Sequence, residues 1–250
     1  MDYEKILEIT CNFIKQKVKD ARAEGVVLGL SGGIDSALVA HLCKKALKDK
    51  IFALLMPSSS SNKDNLKDAL ELCEELKIAY KILSIQEILT SFLERCEQAD
   101  KIRIGNLSAR IRMALLYDFS MLKNFLVIGT SNKSELLLGY GTIYGDLACA
   151  FNPIGDLYKS EIYEFARFLK LNEKFIQKSP SADLWEGQSD ESDLGFSYDA
   201  IDKGLQALEK NDKEELLKLD KKLIQMLKER SLKNAFKRKM PEILSLKNFQ

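Results

Sequence analysis

Leu28-Gly29-Leu30-Ser31-Gly32-Gly33-Ile34-Asp35-Ser36 is the stretch on which the reading of this chain turns. It follows Val26-Val27, so a short apolar strand runs directly into a Ser-Gly-Gly turn. Ala37-Leu38-Val39-Ala40-His41-Leu42-Cys43 then reads as a helix. A strand, a glycine turn and a helix N-terminus together present backbone N–H groups and the positive end of a helix dipole to an anion. Gly32 and Gly33 let the backbone approach an oxyanion and adopt unusual φ. Ser31 and Ser36 add hydroxyl donors. Asp35 is the odd member, since a carboxylate beside phosphate repels it unless a cation lies between them. That combination points to Mg²⁺ shared between Asp35 and phosphate oxygens.

The kinase-type phosphate loop requires a lysine after its last glycine, and none stands here. The Gly-x-Gly-x-x-Gly spacing of dinucleotide folds is also missing. Ser-Gly-Gly-x-Asp-Ser instead resembles the pyrophosphate loop of the ATP pyrophosphatase superfamily. That resemblance implies splitting of ATP into AMP and pyrophosphate, with adenylation of a carboxylate or carbonyl oxygen. The plainer reading is a glycine turn with an N-capping Ser or Asp.

At 250 residues the chain reads as one large domain, with a core that needs no disulfide or structural metal. Lys and Arg number 38 against 37 Asp and Glu, a balance that argues against a dedicated nucleic-acid binder. Cys11, Cys43, Cys73, Cys96 and Cys149 are scattered, without Cys-x-x-Cys, which reads as reduced thiols in a cytoplasm. No apolar run is long enough to span a membrane, and an amphipathic helix opens the chain at once. The single histidine, His41, excludes a His-rich zinc site, argues against a Ser-His-Asp triad and receives no role.

Apolar runs alternate with helical patterns. Strands are expected at Gly25–Leu30, Ile51–Met56, Ala79–Leu83 and Phe125–Thr130, buried on both faces of a parallel sheet. Helices are expected near 35–48, 63–77, 85–97 and 105–122. This alternation predicts a doubly wound, Rossmann-like α/β sheet. The second half adds helices at Ser160–Leu171, Asp199–Leu208 and Lys213–Lys228. Between them, Ser179–Ser197 is polar and irregular, the pattern of a functional or mobile segment. Ser61 or Asn62 should cap the second helix of the sheet region.

In such sheets ligands sit beyond the carboxyl ends of the strands. The loops there are Ser31–Ser36, Met56–Ser58, Thr130–Glu135 and the glycine-rich 139–146. Glu135 could join Asp35 around a cation, or serve only as a favourable acid in a helix first turn. Arg110 and Arg112, two apart on a helix, face different ways, so one can bind an anion while the other pairs at the surface. Lys159, before a helix, could neutralise phosphate or be an ordinary surface lysine.

The ordered set is identified with the ammonia-dependent NAD synthetase family. The carrying residues are Gly29–Ser36, Asn106–Met113, Gly129-Thr130 with Glu135, Tyr144-Gly145-Asp146, Lys159-Ser160, Pro180-Ser181-Ala182-Asp183-Leu184, Gly187-Gln188 with Asp190-Glu191, and Lys237-Arg238 with Pro241. The resemblance implies an adenine nucleotide alpha hydrolase-like fold with extra C-terminal helices. It implies one synthetase domain over 1–250, without an amidase domain. The implied reaction is adenylation of deamido-NAD by ATP with release of pyrophosphate, then attack by ammonia to give NAD and AMP. ATP would be bound by Gly29, Leu30, Ser31, Gly32, Gly33, Ile34, Asp35, Ser36, Thr130, Lys159 and Ser181. Asp35 and Glu135 would hold Mg²⁺ and, with Lys159, form the catalytic set. Arg110, Phe236 and Lys237 would contact deamido-NAD. Segment 179–197 would be a lid. A homodimer is implied, with the N-terminal helix (Ile6, Ile9, Phe13, Ile14, Val18) either at its interface or packed on its own core. Ammonia would be the direct donor, supplied free or by a separate glutaminase. Ile143, Ala150 and Phe236 depart from the family pattern, where Lys, Asp and His are common, and all three fall on the acceptor side. Two other readings compete: a tRNA-modifying member of the superfamily, which should show a basic face and paired cysteines, and an ATP sensor without turnover.

Overall fold

The computed structural model describes residues 1–181, 183–185 and 187–245. Four parallel strands, β1 (Gly25–Gly29), β2 (Ile51–Leu55), β3 (Ala79–Ile82) and β4 (Phe125–Val127), stand in the order β3-β2-β1-β4. The order in which strands are added therefore reverses at β1, since β2 and β3 lie on one side of it and β4 on the other. The loops leaving those two strands diverge there and open a crevice, the usual ligand position in open α/β sheets.

On one face lie α1 (Tyr3–Asp20), α2 (Ile34–Leu47), α3 (Lys63–Leu76), α7 (Lys159–Phe168) and α8 (Glu173–Gln177). Leu28, Leu38, Leu42, Ile51, Phe165 and Phe175 are fully covered in that layer. The other face is covered by α4 (Gln86–Leu93) and α5 (Lys101–Lys123), whose Leu89, Ile111, Leu116 and Phe119 meet Val27, Leu54 and Val127. Each such side chain contributes about 1.5–3 kcal/mol on burial, so both faces hold the sheet firmly. A third cluster joins α6 (Lys133–Leu138), α9 (Asp190–Leu194), α10 (Tyr198–Glu209) and α12 (Lys221–Lys233), around Leu138, Ile201, Leu205 and Leu227. The doubly wound fold with added C-terminal helices is as expected.

The differences from the sequence reading have local causes. β3 is exposed along its length, because it is an edge strand with no neighbour beyond it. β4 ends at Val127, and Ile128 continues only as a bridge to Phe151; the Ala150 N–H donates to the Val127 carbonyl at 2.8 Å. The helix expected over 85–97 stops at Leu93, and α5 starts earlier, at Lys101, because the Asp100 carboxylate caps it by accepting the Arg103 N–H. The helix expected over Lys213–Lys228 is two: α11 (Lys213–Lys218) and α12, the second capped by Asp220. Asn62 is the residue that caps α3. In α1, Ile14 and Val18 are buried against α2, while Ile9 and Phe13 face outward. His41 is buried, with Nδ1 2.9 Å from the Ala37 carbonyl. Among the described residues no helix is long and apolar enough to cross a membrane.

Candidate active site

The loop after β1 is held by its own side chains. Ser31 Oγ accepts the Gly33 N–H at 3.2 Å and lies 3.1 Å from Ser36 Oγ. Ser36 Oγ–H donates to the Gly33 carbonyl at 3.0 Å. Gly32 has φ +83°, and an added Cβ there would strike the Asn65 backbone carbonyl, so only glycine fits. Gly33 precedes α2 without any side-chain cap. The first-turn N–H groups of a 14-residue helix are therefore left open to an anion.

Three charged groups meet beside this turn. Lys159 Nζ donates to Asp35 Oδ2 at 2.5 Å and lies 3.6 Å from Glu135 Oε1. Lys159 is only 2 % exposed, so the surface-lysine alternative is excluded. Its proton is held tightly: burial alone would loosen it, and the Asp35 and Glu135 carboxylates more than offset that. Burial and the neighbouring Asp35 carboxylate push Glu135 above the usual carboxyl range, to about 8. Glu135 also forms a capping box with Asn132 at the start of α6, so its reading as an acid in a helix first turn holds. Asn132 Nδ2–H donates to Asp35 Oδ1 at 3.0 Å, which fixes the second carboxylate oxygen.

Two adjoining cavities flank the cluster. The smaller, about 60 Å³, is lined by Ser31, Gly33, Ile34, Asp35, Glu135, Lys159, Lys178 and Ser181. The larger, about 580 Å³, runs from Gly29, Leu30, Ser31 and Thr130 past Met56, Asn106 and Arg112 to Gly141, Trp185 and Lys237. Expected ATP-side residues thus converge: Gly29, Leu30, Ser31, Gly33, Ile34, Asp35, Thr130, Lys159 and Ser181 line one cavity or the other, while Gly32 and Ser36 build the turn from behind. The expected acceptor residues do not converge. Lys237 lines the large cavity and donates to the Gly139 and Gly141 carbonyls at 2.8 and 2.9 Å. Phe236 is 59 % exposed and lies outside the lining. Arg110 is exposed on the Ile143 carbonyl at 3.3 Å, also outside it. Its neighbour Arg112 turns inward instead, donating to the Met56 carbonyl at 2.9 Å. The two-residue offset required opposite faces; only packing decides which arginine looks inward.

The structure gives partners to residues that the sequence reading named without a role, Asp183, Gln188 and Asp190 among them. Tyr140 O–H donates to Asp190 and Asp193 at 3.1 and 2.9 Å. Gln188 Nε2–H donates to Asp193 at 3.0 Å. Asp183 accepts the Asn62 N–H, which ties 179–197 to the cap of α3. Two positions of that segment, Ala182 and Glu186, lie outside the described residues. Lys178 Nζ donates to the Gly32 carbonyl, Asn65 and Asp68, binding the same segment to the turn. The irregular composition of 179–197 was the available signal; the individual partners had none.

Comparison with known proteins agrees with this geometry. A family model described as NAD synthase matches residues 6–241. An NH(3)-dependent NAD(+) synthetase of Campylobacter jejuni is 67% identical over 98% of this chain and 100% of its own length. A solved NH3-dependent NAD synthetase from Campylobacter jejuni, in complex with nitrate, has a TM-score of 0.88 at 61% identity, covering 98% of this chain and 100% of that one. An NMN synthetase from Francisella tularensis has a TM-score of 0.89 at 32% identity, covering 98% and 99%. Neither the tRNA-modifier reading nor the sensor reading draws support from these likenesses. The chain belongs to the NAD synthase family.

Proposed function

We propose that this protein is a ligase that converts deamido-NAD to NAD with ATP and ammonia. The observation that carries this is the buried Lys159 between Asp35 and Glu135, at the uncapped N-terminus of α2. A site built only to hold phosphate would need donors. This one adds paired carboxylates, which suit phosphate bound together with a cation.

The nicotinate carboxylate oxygen attacks the α-phosphorus of ATP, and pyrophosphate leaves. Ammonia then attacks the acyl carbon of the adenylate, AMP departs, and one proton is released. The open N–H groups of α2 and the Ser31 hydroxyl receive the pyrophosphate, and Ser36 holds the turn in shape from behind. Lys159 supplies the positive charge that the missing phosphate-loop lysine would have given. Thr130 and Ser181 contact ATP from facing loops. Asp35 and Glu135 are a hard, all-oxygen donor pair that fits Mg²⁺ once phosphate oxygens complete its shell. Phosphate oxygens and water would complete the shell around that pair. Bound there, Mg²⁺ would shield phosphate charge from the two carboxylates. Ser179, Pro180, Ser181, Asp183 and Asp190 line the small cavity, and a lid there would keep water from the adenylate.

Lys237 orders the 139–141 backbone on the acceptor side. We infer that Arg110 and Phe236 meet deamido-NAD only across a two-fold dimer, since both face outward here. The five unpaired cysteines fit work in the cytoplasm, where thiols stay reduced. The whole chain acts as one synthetase domain.

Purified protein with ATP, Mg²⁺, deamido-NAD and ammonium should yield NAD, AMP and pyrophosphate in equal amounts. ADP in place of AMP would end the proposal. Nicotinate mononucleotide run beside deamido-NAD tests the acceptor, a choice raised by the likeness to an NMN synthetase. Faster turnover of the mononucleotide would move the acceptor to that smaller molecule.

A further inference from the structure

Asp202 is a buried carboxylate that the reaction above does not use. It lies on α10, in the C-terminal helical layer, and is 2 % exposed. One oxygen accepts the Ser134 O–H at 2.5 Å and the other accepts the Ser160 N–H at 2.8 Å. Ser134 Oγ in turn accepts the Lys159 N–H at 3.0 Å. Ser134 is the residue before Glu135, in the first turn of α6. Ser160 is the residue after Lys159, in the first turn of α7. A single carboxylate therefore ties together the two helix starts that deliver Glu135 and Lys159.

We propose that Asp202 is a positioning residue for this reaction, registering the first turns of α6 and α7 so that the Lys159 ammonium arrives between Asp35 and Glu135. The proposal rests on the ligase reading for its kinetic part and on geometry alone for the rest.

The physical case has three parts. A buried carboxylate is retained at a cost unless its oxygens are satisfied, and here a hydroxyl and a helix-start N–H satisfy both. The N-terminus of α7 is the favourable end of the helix dipole for a negative charge. Lys159 tolerates little displacement, since its ammonium is buried and its nearer partner stands at 2.5 Å. Catalytic constellations lose function on shifts of about 1 Å, with losses on the order of 100-fold. Burial raises the Asp202 carboxyl, and the Ser134 and Ser160 donors draw it back toward ionisation.

The test uses Asp202→Ala, Asp202→Asn and Ser134→Ala in the full chain. Turnover is counted per folded molecule, and Lys159 is labelled with an amine reagent and mapped by mass spectrometry. Lys174, which pairs with Glu71 and Asp68 elsewhere, is the reference. Asp202→Ala should lower kcat on the order of 100-fold with an unchanged KM for deamido-NAD. Asp202→Asn, which keeps one acceptor, should recover part of that. Lys159 labelling should rise in both while Lys174 labelling stays level. Should Asp202→Ala fail to fold, Asp202→Asn and Ser134→Ala carry the test: the double variant should lose no more than the worse single one. Unchanged kcat per folded molecule, additive losses, or Lys159 labelling that moves only with Lys174 would each overturn the proposal. A wild-type protein that makes no NAD sinks the ligase reading instead, and the labelling result then decides the role of Asp202 by itself.

Discussion

The loop side and the acceptor side of the cavity are built on different terms. On the loop side the polar groups are partnered within the chain: Asp35 with Lys159 and Asn132, Glu135 with the Asn132 N–H, Ser31 with Ser36. On the acceptor side Phe236 stands largely in solvent, and Arg110 finds only a carbonyl. The loop side is preorganised, its polar groups held by one another. The acceptor side is ordered mainly by Lys237 on the Gly139 and Gly141 carbonyls, while Arg110 and Phe236 face outward. Preorganised groups carry transition-state stabilisation, whereas exposed ones contribute to substrate binding.

Substitutions should separate the two sides. Lys159→Met leaves two carboxylates facing each other without their cation. Turnover should fall about 10²–10³-fold, and denaturant unfolding of the free protein should show a loss of about 3 kcal/mol. A turnover near wild type would erase the distinction between the sides. Gly32→Ala places a Cβ against the Asn65 carbonyl at φ +83°. ATP affinity by calorimetry should weaken on the order of 100-fold, about 2.7 kcal/mol, with deamido-NAD binding little changed. Lys237→Ala frees the Gly139 and Gly141 carbonyls. KM for deamido-NAD should rise about tenfold, the loss of a charge-assisted hydrogen bond, while kcat holds. A fall in kcat instead would place Lys237 with the loop side.

Glu135 sharpens the comparison through pH. Its carboxyl is raised to about 8 by burial and by Asp35. A carboxyl raised in the folded state holds its proton more tightly there than in the unfolded chain. The stability this lends is full below the ordinary carboxyl range and is lost as pH climbs through about 8. Glu135→Gln should therefore raise the melting temperature of the free protein above that pH by ~2–4 °C, about 1 kcal/mol, while abolishing turnover. Equal melting at every pH would show the carboxylate to be already compensated. Phe236→Ala, at the outward end of the acceptor side, should leave monomer stability within about 0.5 kcal/mol.

Much of the fold was legible because its signals are local. Val26–Ser36 carries strand, turn and helix start within eleven positions, and apolar runs marked the buried strands. Errors fell where one cap residue outweighed periodicity, at Asp100 and Asp220, and at β3, whose apolar pattern does not reveal that no strand lies beyond it. Lys159 could be suspected but not placed, since a lysine before a helix looks the same in solvent as between two carboxylates. Arg110 and Arg112 were symmetric in sequence and are opposite in space. Asp202 gave no signal at all.

The sequence by itself determined the chemistry of the loop, because glycine conformation, helix dipole and serine hydroxyls act within a few bonds of one another. It also determined the parallel sheet, through apolar runs too continuous for a half-exposed one. The tertiary structure alone decided which charges meet. Asp35, Glu135, Lys159 and Asp202 are separated by up to 167 positions, counted from 35 to 202. Their electrostatic energies depend on burial and on separations of a few ångströms, and only packing sets those.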